Sequence, residues 1–146
     1  MIKGKKGIIF GIANDHSIAW GIAKQLYLNG AEFAITYQND TLLKRVKPLA
    51  EKVESNTLIE CDVTNEDHIL NTVKKIKNKF GKIDFIIHAV AYSDKNELNG
   101  RYIDTSKNNF INSLSISCYS FTKIAKLFQP IIKEGGSLVT LSFHGA

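Results

Sequence analysis

Short apolar runs alternate along this 146-residue chain with longer stretches in which apolar residues recur at the period of a helix. Several of the runs consist of consecutive Ile, Val and Phe, which is typical of parallel strands covered on both faces. We predict strands at 7–10, 32–37, 57–61, 83–88 and 137–141, and helices at 18–28, 41–53, 66–79 and 107–128. This alternation predicts an α/β fold built from repeated βαβ units.

The order of these elements also predicts where a ligand binds. Right-handed crossovers give a Rossmann-type doubly wound parallel sheet, with a strand order such as 3-2-1-4-5. The switch point of that sheet lies between the first and fourth strands, and ligands bind there, over the carboxyl ends of the strands. The length is that of one domain, so we expect a single domain over residues 1–146.

Local signals mark both ends of the third helix. Thr64 stands three residues before Asp67, which is similar to a capping box at the start of a helix. Gly81 stands just past the other end, where a glycine commonly closes a helix. We therefore expect the Thr64 side chain to cap this helix.

The basic charge of the chain does not by itself indicate a nucleic-acid partner. The net charge is +5, and 17 of the 19 basic residues are Lys, whereas base recognition relies largely on Arg. The densest run lies on the third helix and the turn after it, and we interpret it as a solvated face: Lys74, Lys75, Lys77, Lys79 and Lys82. We expect no nucleic-acid partner, and an acidic partner stays open.

Cysteine and histidine spacing argues against several kinds of site. Cys61 and Cys118 lie far apart without a CxxC motif, so we predict no disulfide and no zinc site, and we expect both thiols to be buried in a reducing compartment. His16, His68 and His144 share no metal-ligand spacing, so we expect no metal. The first apolar run is too short for a signal peptide and no segment is long enough to span a membrane, so we predict a cytoplasmic protein with no membrane partner.

The first strand leads into the segment GIANDHSIAWG, residues 11–21, at the predicted switch point. Gly11 lets the backbone approach a phosphate closely, and Ser17 can cap the next helix while its hydroxyl faces the same phosphate. Gly21 would let that helix pack tightly on the strand. The segment lacks GxGxxG spacing, so a tight turn with an ordinary cap explains it equally well, and its place at the switch point favours the nucleotide.

Polar residues at the ends of the next two strands suit the adenosine part of a dinucleotide. Gln38 stands where many dinucleotide-binding folds carry an acidic residue for the ribose, and the alternative is a solvated turn residue. No arginine directly follows this strand, which favours NAD over NADP, although Lys44 and Arg45 leave NADP open. Asp62 can accept the adenine amino group while Val63 packs against the ring, and the alternative for Asp62 is a helix-entry residue.

The fourth strand ends in the segment IIHAVAY. The small residues Ala89 and Ala91 would let a cofactor lie flat across the chain at this point. We interpret His88 as a partly buried residue at the end of the strand rather than as a catalytic base.

Taken together, these segments resemble the NADH-dependent enoyl-acyl-carrier-protein reductases of the short-chain dehydrogenase/reductase superfamily. The motifs that carry the resemblance are, in chain order, GxxxxxSIAxG from residue 11, TYQND, CDV, IIHAVA, LNGRYIDTS from residue 98, SISCYSF from residue 115 and GGSLVTLS from residue 135. They cover the whole chain, and the combination of SIA, TYQND and CDV is specific.

The resemblance implies NAD, as NADH, for the cofactor and assigns roles to nine residues. It implies that Gly11, Ser17 and Ile18 contact the pyrophosphate, that Gln38 contacts the adenosine side, and that Asp62 and Val63 contact the adenine. It also implies that Val90 and Ile116 line the length of the cofactor and that Ser93 lies at the edge of the acyl substrate. In the family, hydride passes from NADH to the β-carbon of a trans-2-enoyl thioester on acyl carrier protein during fatty-acid elongation. A tyrosine stabilises the enolate oxygen, a lysine holds the nicotinamide ribose, and the enzyme is a homotetramer.

Three features depart from the family pattern. Phe143 stands where a tyrosine is usual, and Ala91 replaces the glycine commonly found after the fourth strand. In the family a Tyr-x6-Lys segment follows the fifth strand, and no such segment stands between the predicted fifth strand and Ala146. We therefore expect an incomplete NAD-binding domain, truncated after its fifth strand, that has an unpaired sheet edge and marginal stability. We also expect it to bind its cofactor mainly through the adenosine half, and to be inactive and poorly able to form tetramers alone.

Two other functions compete with an enoyl reductase whose second half is supplied by a separate chain or is missing from this sequence. One is a catalytically inactive remnant of a split or decaying gene, with at most weak nucleotide binding. The other is a signalling module of flavodoxin-like topology, which predicts paired carboxylates after the first strand. Asp15 stands alone in that segment, which disfavours the signalling module.

Overall fold

The computed structural model describes residues 2–142. The strands are β1 (Lys6–Phe10), β2 (Glu32–Tyr37), β3 (Leu58–Glu60), β4 (Ile83–His88) and β5 (Ile132–Thr140). The helices are α1 (Ile18–Leu28), α2 (Asp40–Lys52), α3 (Glu66–Phe80), α4 (Lys107–Leu114) and α5 (Ser120–Phe128). Every strand pairing is parallel and the order is β3-β2-β1-β4-β5, so the predicted α/β fold and sheet order are confirmed.

Two apolar cores lie on opposite faces of the sheet, because successive strand residues point to opposite sides. On β1, Ile9 belongs to one core, which also contains Trp20 and Ala23 of α1 and Val46 and Leu49 of α2. The neighbouring strand residues Ile8 and Phe10 belong to the second core, whose helical members include Ile69, Ile76, Ile124 and Phe128 from α3 and α5. Both faces are therefore covered by helices, as the continuous apolar runs predict.

The edge strands differ most from the sequence prediction. β3 is limited to three residues, Leu58–Glu60, and β5 begins at Ile132, five residues earlier than predicted. The pairing of β5 with β4 is irregular near this early start. Ile132 pairs with Ile83 and Ser137 pairs with Phe85, so β5 advances further than β4 between the two pairs. Gly135 adopts a positive φ of 73° inside this bulge, a conformation that glycine reaches without steric cost.

The predicted single helix over 107–128 is wrong in its middle. α4 and α5 are joined by a wide π-helical turn at Ser115–Tyr119, so the chain turns continuously but changes its hydrogen-bond spacing there. Apolar periodicity cannot reveal such a turn, because one extra residue per turn is within the scatter of a short pattern.

The cap of α3 also differs from the prediction. Asn65, not Thr64, is the capping residue, and its side-chain oxygen accepts the backbone N–H groups of Asp67 and His68. The Thr64 hydroxyl instead bonds to Asp62. The predicted Gly81 terminus is confirmed, with a φ of 72° and an N–H that donates to the Lys77 carbonyl.

Exposure confirms the predicted lysine face and one of the two cysteine predictions. Lys74, Lys75, Lys77, Lys79 and Lys82 are all exposed. Cys61 is buried, but Cys118 is exposed on the wide turn, so the prediction that both are buried is wrong for Cys118. Within residues 2–142, no helix has the length and apolar character needed to cross a membrane, and no three potential ligand side chains are grouped to hold a metal.

Candidate nucleotide site

A cleft lies at the carboxyl ends of the central strands, at the switch point between β1 and β4. It is lined by residues that follow β1, β2, β3 and β4, together with Ile116 from the wide turn between α4 and α5. Its lining contains six of the eight residues to which the resemblance assigns cofactor contacts: Gly11, Gln38, Asp62, Val63, Val90 and Ile116. Residues far apart in the sequence are therefore brought to one place by the parallel sheet.

Gly11 lies where β1 leaves the sheet and its backbone is in a conformation that side chains rarely adopt. Its φ is 103°, and a Cβ atom there would overlap the carbonyl group of Ala89. The Ala89 N–H donates to the Phe10 carbonyl at 2.9 Å, which holds the two strand ends together. Glycine is therefore required at this position by the close approach of β4, in addition to any approach of a phosphate.

The start of α1 lies beside the cleft rather than on its lining. Ser17 is the capping residue, but its side chain makes no bond to the helix and donates instead to the Asn14 carbonyl at 2.6 Å. Ile18 is 69% exposed. Gly21 is exposed with open space where a Cβ would be, so the predicted tight packing of Gly21 on the strand is wrong.

The β2 end supplies the polar side of the cleft. Gln38 is exposed on the lining, next to the half-buried ring of Tyr37. Burial and the neighbouring Glu60 carboxylate raise the pKa of Tyr37, so its phenol is neutral at physiological pH. Asn39 then caps α2 by accepting the Leu42 N–H at 3.1 Å. The turn thus offers a neutral amide and a neutral phenol to a ligand.

The loop after β3 is held by hydrogen bonds among its own residues and to α3. One carboxylate oxygen of Asp62 accepts the backbone N–H of Thr64 at 2.9 Å and its hydroxyl at 2.7 Å. The Asp62 backbone N–H donates to Nδ1 of His68 at 3.2 Å. Sequence reasoning missed this use of His68, although its place in the first turn of α3 lets the side chain reach back to the loop. The second oxygen of Asp62 is not used by these bonds.

The fourth side of the cleft is formed by the segment after β4 and by the wide turn. Val90 and Ala91 line the cleft together with Ile116. The Ser117 hydroxyl ties the two segments together, because it accepts the Tyr92 N–H at 2.9 Å and donates to the Tyr92 carbonyl at 3.2 Å. This bridge was not foreseen, since the sequence does not reveal which face of the wide turn carries each serine.

His88 is fully buried, more so than the partial burial expected at a strand end. Its Nε2 lies 2.7 Å from the Ser120 hydroxyl and its Nδ1 lies 2.9 Å from the Thr140 hydroxyl. Burial lowers the pKa of His88, so the ring is neutral. His88 is not on the lining of the cleft.

Ser93 lies in a different depression, which is lined by the loop before α4 and by α4 itself. Asn109, buried in this region, accepts the Asp94 N–H at 2.9 Å and donates toward Ser93 at 3.4 Å. Glu97 accepts the N–H and the hydroxyl of Ser106, both at 2.8 Å, and these hydrogen bonds lower its pKa. The geometry therefore does not bring Ser93 together with the other predicted site residues.

Comparison with known proteins identifies the family of this chain. A family model described as enoyl-(acyl carrier protein) reductase matches residues 11–146. The chain belongs to this enoyl-(acyl carrier protein) reductase family. The match begins at Gly11, the first residue of the candidate site, and includes every other residue assigned to it.

Relatives and solved structures give the same result. The NADH-dependent enoyl-acyl-carrier-protein reductase of Rickettsia bellii is 53% identical over 146 residues, which is all of this chain and 56% of that protein. The NADH-dependent enoyl-acyl-carrier-protein reductase 2 of Rhizobium meliloti is 51% identical over 146 residues, which is all of this chain and 54% of that protein. The reductase of Anaplasma phagocytophilum, solved in complex with NAD, has a TM-score of 0.94 and 51% identity over 97% of this chain and 54% of its own. The Aquifex aeolicus NADH reductase has the same TM-score at 38% identity, and covers 97% of this chain and 56% of its own. The chain thus spans about half the length of these members of the enoyl reductase family.

Proposed function

We propose that this chain, residues 1–146, is one incomplete NAD-binding domain that carries the adenosine-binding part of an NADH-dependent enoyl-acyl-carrier-protein reductase. The observation that carries the proposal is the convergence of six expected cofactor contacts on a single cleft at the switch point. Ser17 and Ile18, at the N-terminus of α1 beside the cleft, would receive the pyrophosphate, since free N–H groups at a helix start favour an anion. The NADH named for the relatives and the NAD bound to the Anaplasma protein support this cofactor.

The substrate of the whole enzyme would be a trans-2-enoyl thioester on acyl carrier protein, with Ser93 at its edge, and we propose that this chain alone does not reduce it. The Tyr-x6-Lys spacing occurs twice in the chain, at Tyr37 with Lys44 and at Tyr119 with Lys126, but both pairs precede β5. Neither lysine lies on the cleft lining. These pairs therefore do not replace the segment that follows the fifth strand in the family. Homotetramer assembly and a cytoplasmic location stay predictions.

Titration with ADP-ribose and NADH tests the adenosine site. We expect the two ligands to bind with similar affinity, because six of the eight expected contacts involve the adenosine or the pyrophosphate, and ADP-ribose carries both: Gly11, Ser17, Ile18, Gln38, Asp62 and Val63. Gln38→Ala should weaken both about tenfold, the effect of losing about one hydrogen bond. Gln25→Ala, at an exposed position on α1, is the matched control and should change neither. Absence of ADP-ribose binding by the unmodified chain would contradict the proposed site.

Turnover tests the second half of the proposal. The purified chain should not oxidise NADH in the presence of a trans-2-enoyl thioester. The absorbance of NADH measures this oxidation directly. Turnover at a rate normal for an enzyme, on the order of 1–1000 per second, would contradict the proposed inactivity of this chain. It would not contradict the proposed adenosine site.

A further inference from the structure

A serine hydroxyl stabilises the wide turn between α4 and α5. At Ser115–Tyr119 the helix widens, and the Ser120 N–H donates to the carbonyl of Ser115, five residues back, rather than to that of Ile116. The Ile116 carbonyl accepts the Ser120 hydroxyl instead, at 2.6 Å. A carbonyl oxygen has two lone pairs, and Thr72 donates to the His68 carbonyl inside the regular helix α3, so such a bond does not by itself widen a helix. In the wide turn the Ser120 hydroxyl supplies a donor to the Ile116 carbonyl, which the Ser120 N–H does not use, and this bond stabilises the widened form.

A buried imidazole fixes the direction of that hydroxyl. Nε2 of His88 lies 2.7 Å from Ser120 Oγ, and a hydroxyl has a single proton to donate. Because the Ile116 carbonyl can only accept, the Ser120 proton goes to that carbonyl and Nε2 must carry the N–H between His88 and Ser120. Nδ1 of the neutral ring is then the acceptor for the Thr140 hydroxyl at 2.9 Å. The bonds thus select one tautomer of His88.

We propose that His88 and Ser120 are a positioning pair that sets the wide turn and, through it, the Ile116 side of the nucleotide cleft. Neither residue lines the cleft, but Ile116 and Tyr92 do. The turn carries Ile116 itself and holds Tyr92 through the Ser117 hydroxyl. The pair therefore acts on two lining residues from outside the site. This inference rests on the proposed function, because it takes the cleft to bind the adenosine half of the cofactor.

Two variants remove the pair without removing the helix. Ser120→Ala deletes the hydroxyl that bonds to the Ile116 carbonyl, and Ala is the strongest helix former, so the backbone N–H of residue 120 should return to that carbonyl. The double variant H88L/S120A also removes the imidazole, so that no buried N–H is left without a partner. We expect both variants to bind ADP-ribose about tenfold more weakly than the wild-type chain. Chemical shifts of residues 115–120 should show that the wide turn has closed.

Rescue and matched controls separate positioning from general stability. His88→Gln keeps a donor near the position of Nε2 and should stay within about threefold of wild-type affinity, whereas His88→Asn places its amide too far from Ser120 and should lose about as much as Ser120→Ala. Ser115→Ala makes the same change at an exposed position of the same segment and should bind normally. The urea midpoint of each variant is measured alongside its affinity.

The outcomes distinguish this inference from the proposed function. If the wild-type chain does not bind ADP-ribose, the proposed function and the inference both fail. If it binds ADP-ribose and the double variant folds and binds equally well, only the inference fails. Long-range proton–nitrogen spectra of the wild-type ring need no variant, and a His88 ring that carries its proton on Nδ1 at pH 7 would also overturn the inference.

Discussion

Asp84 shows how one carboxylate can join three strands. It lies at the start of β4 with only 10% of its side chain exposed, and it accepts the Lys6 backbone N–H of β1 at 2.9 Å. The ammonium groups of Lys5 and Lys133 lie 3.1 and 2.9 Å from its two oxygens. Burial opposes ionisation, but these three hydrogen bonds outweigh it and lower the pKa of Asp84 from 3.8 to about 2.

Replacing Asp84 should therefore reduce stability in a pH-dependent way. A carboxylate whose pKa is lowered by folding stabilises the protein above its unfolded pKa, and this stability is lost as pH falls from about 4 to about 2. We expect Asp84→Asn to lower the free energy of unfolding by about 1–2 kcal/mol at pH 7, allowing for solvent screening of the half-exposed lysines. Urea denaturation at pH 7 and at pH 2.5 measures this, and Asp15→Asn, an exposed control, should have little effect at either pH. An equal loss for Asp84→Asn at both pH values would contradict the assignment.

Two glycines of the first βα segment have opposite structural requirements. Gly11→Ala should lower the free energy of unfolding by about 3 kcal/mol, because the new Cβ meets the Ala89 backbone and the φ of 103° is strained for alanine. Gly21→Ala is the matched change ten residues later on α1, where the space is open. It should raise stability by about 0.5–1 kcal/mol, because alanine favours a helix. Urea denaturation of both variants checks the pair, and similar losses for both would contradict it.

At the scale of elements, helix ends depend on which polar side chain reaches the free backbone groups. Thr64 and Asn65 are adjacent and both are suitable capping residues. The Thr64 hydroxyl is turned toward the Asp62 carboxylate, to which it donates, and Asn65 caps α3. In the wide turn the Ser120 hydroxyl takes the place of a backbone donor to the Ile116 carbonyl. Both departures from the predicted elements thus depend on where polar side chains find their hydrogen-bond partners.

The cap can be tested by the same substitution at two positions of one helix. Asn65→Ala should lower the free energy of unfolding by about 1 kcal/mol, because two N–H groups in the first turn of α3 lose their acceptor. Asn78→Ala, on the exposed side of the last turn, should leave it unchanged or raise it slightly. Thermal unfolding followed by circular dichroism measures both changes. If Asn65→Ala has no effect, the cap is provided by another residue.

At the scale of the whole molecule, the described sheet leaves β5 with one neighbour. β5 pairs only with β4 among residues 2–142, and it exposes 42% of Val139. Leu141, just beyond the strand, is 38% exposed. An edge strand with exposed apolar residues is a site of self-association, and the marginal stability expected from the sequence stays a prediction. This exposed edge belongs to the sheet formed by residues 2–142.

Charge on that strand should therefore reduce association. We expect the wild-type chain to form concentration-dependent oligomers in sedimentation velocity, and Val139→Lys to reduce them, since a lysine on an edge strand disfavours edge pairing. Leu28→Lys introduces the same charge at a position that is 73% exposed at the end of α1. It should leave the oligomers in place. Equal reduction by both variants would indicate an effect of net charge instead of the β5 edge.

The sequence by itself determined the strand order, the two covered faces and the place of the cleft, because continuous apolar strands, helical periods and right-handed crossovers are local or general rules. It also identified six residues of the cleft, since they directly follow strand ends or stand in a recognisable motif. Only the tertiary structure decided the wide turn, the cap of α3, the separation of Ser93 from the cleft and the bonds of His68 and His88. These depend on which polar groups meet after the chain has folded, and partners up to 52 residues apart, such as His88 and Thr140, leave no local pattern.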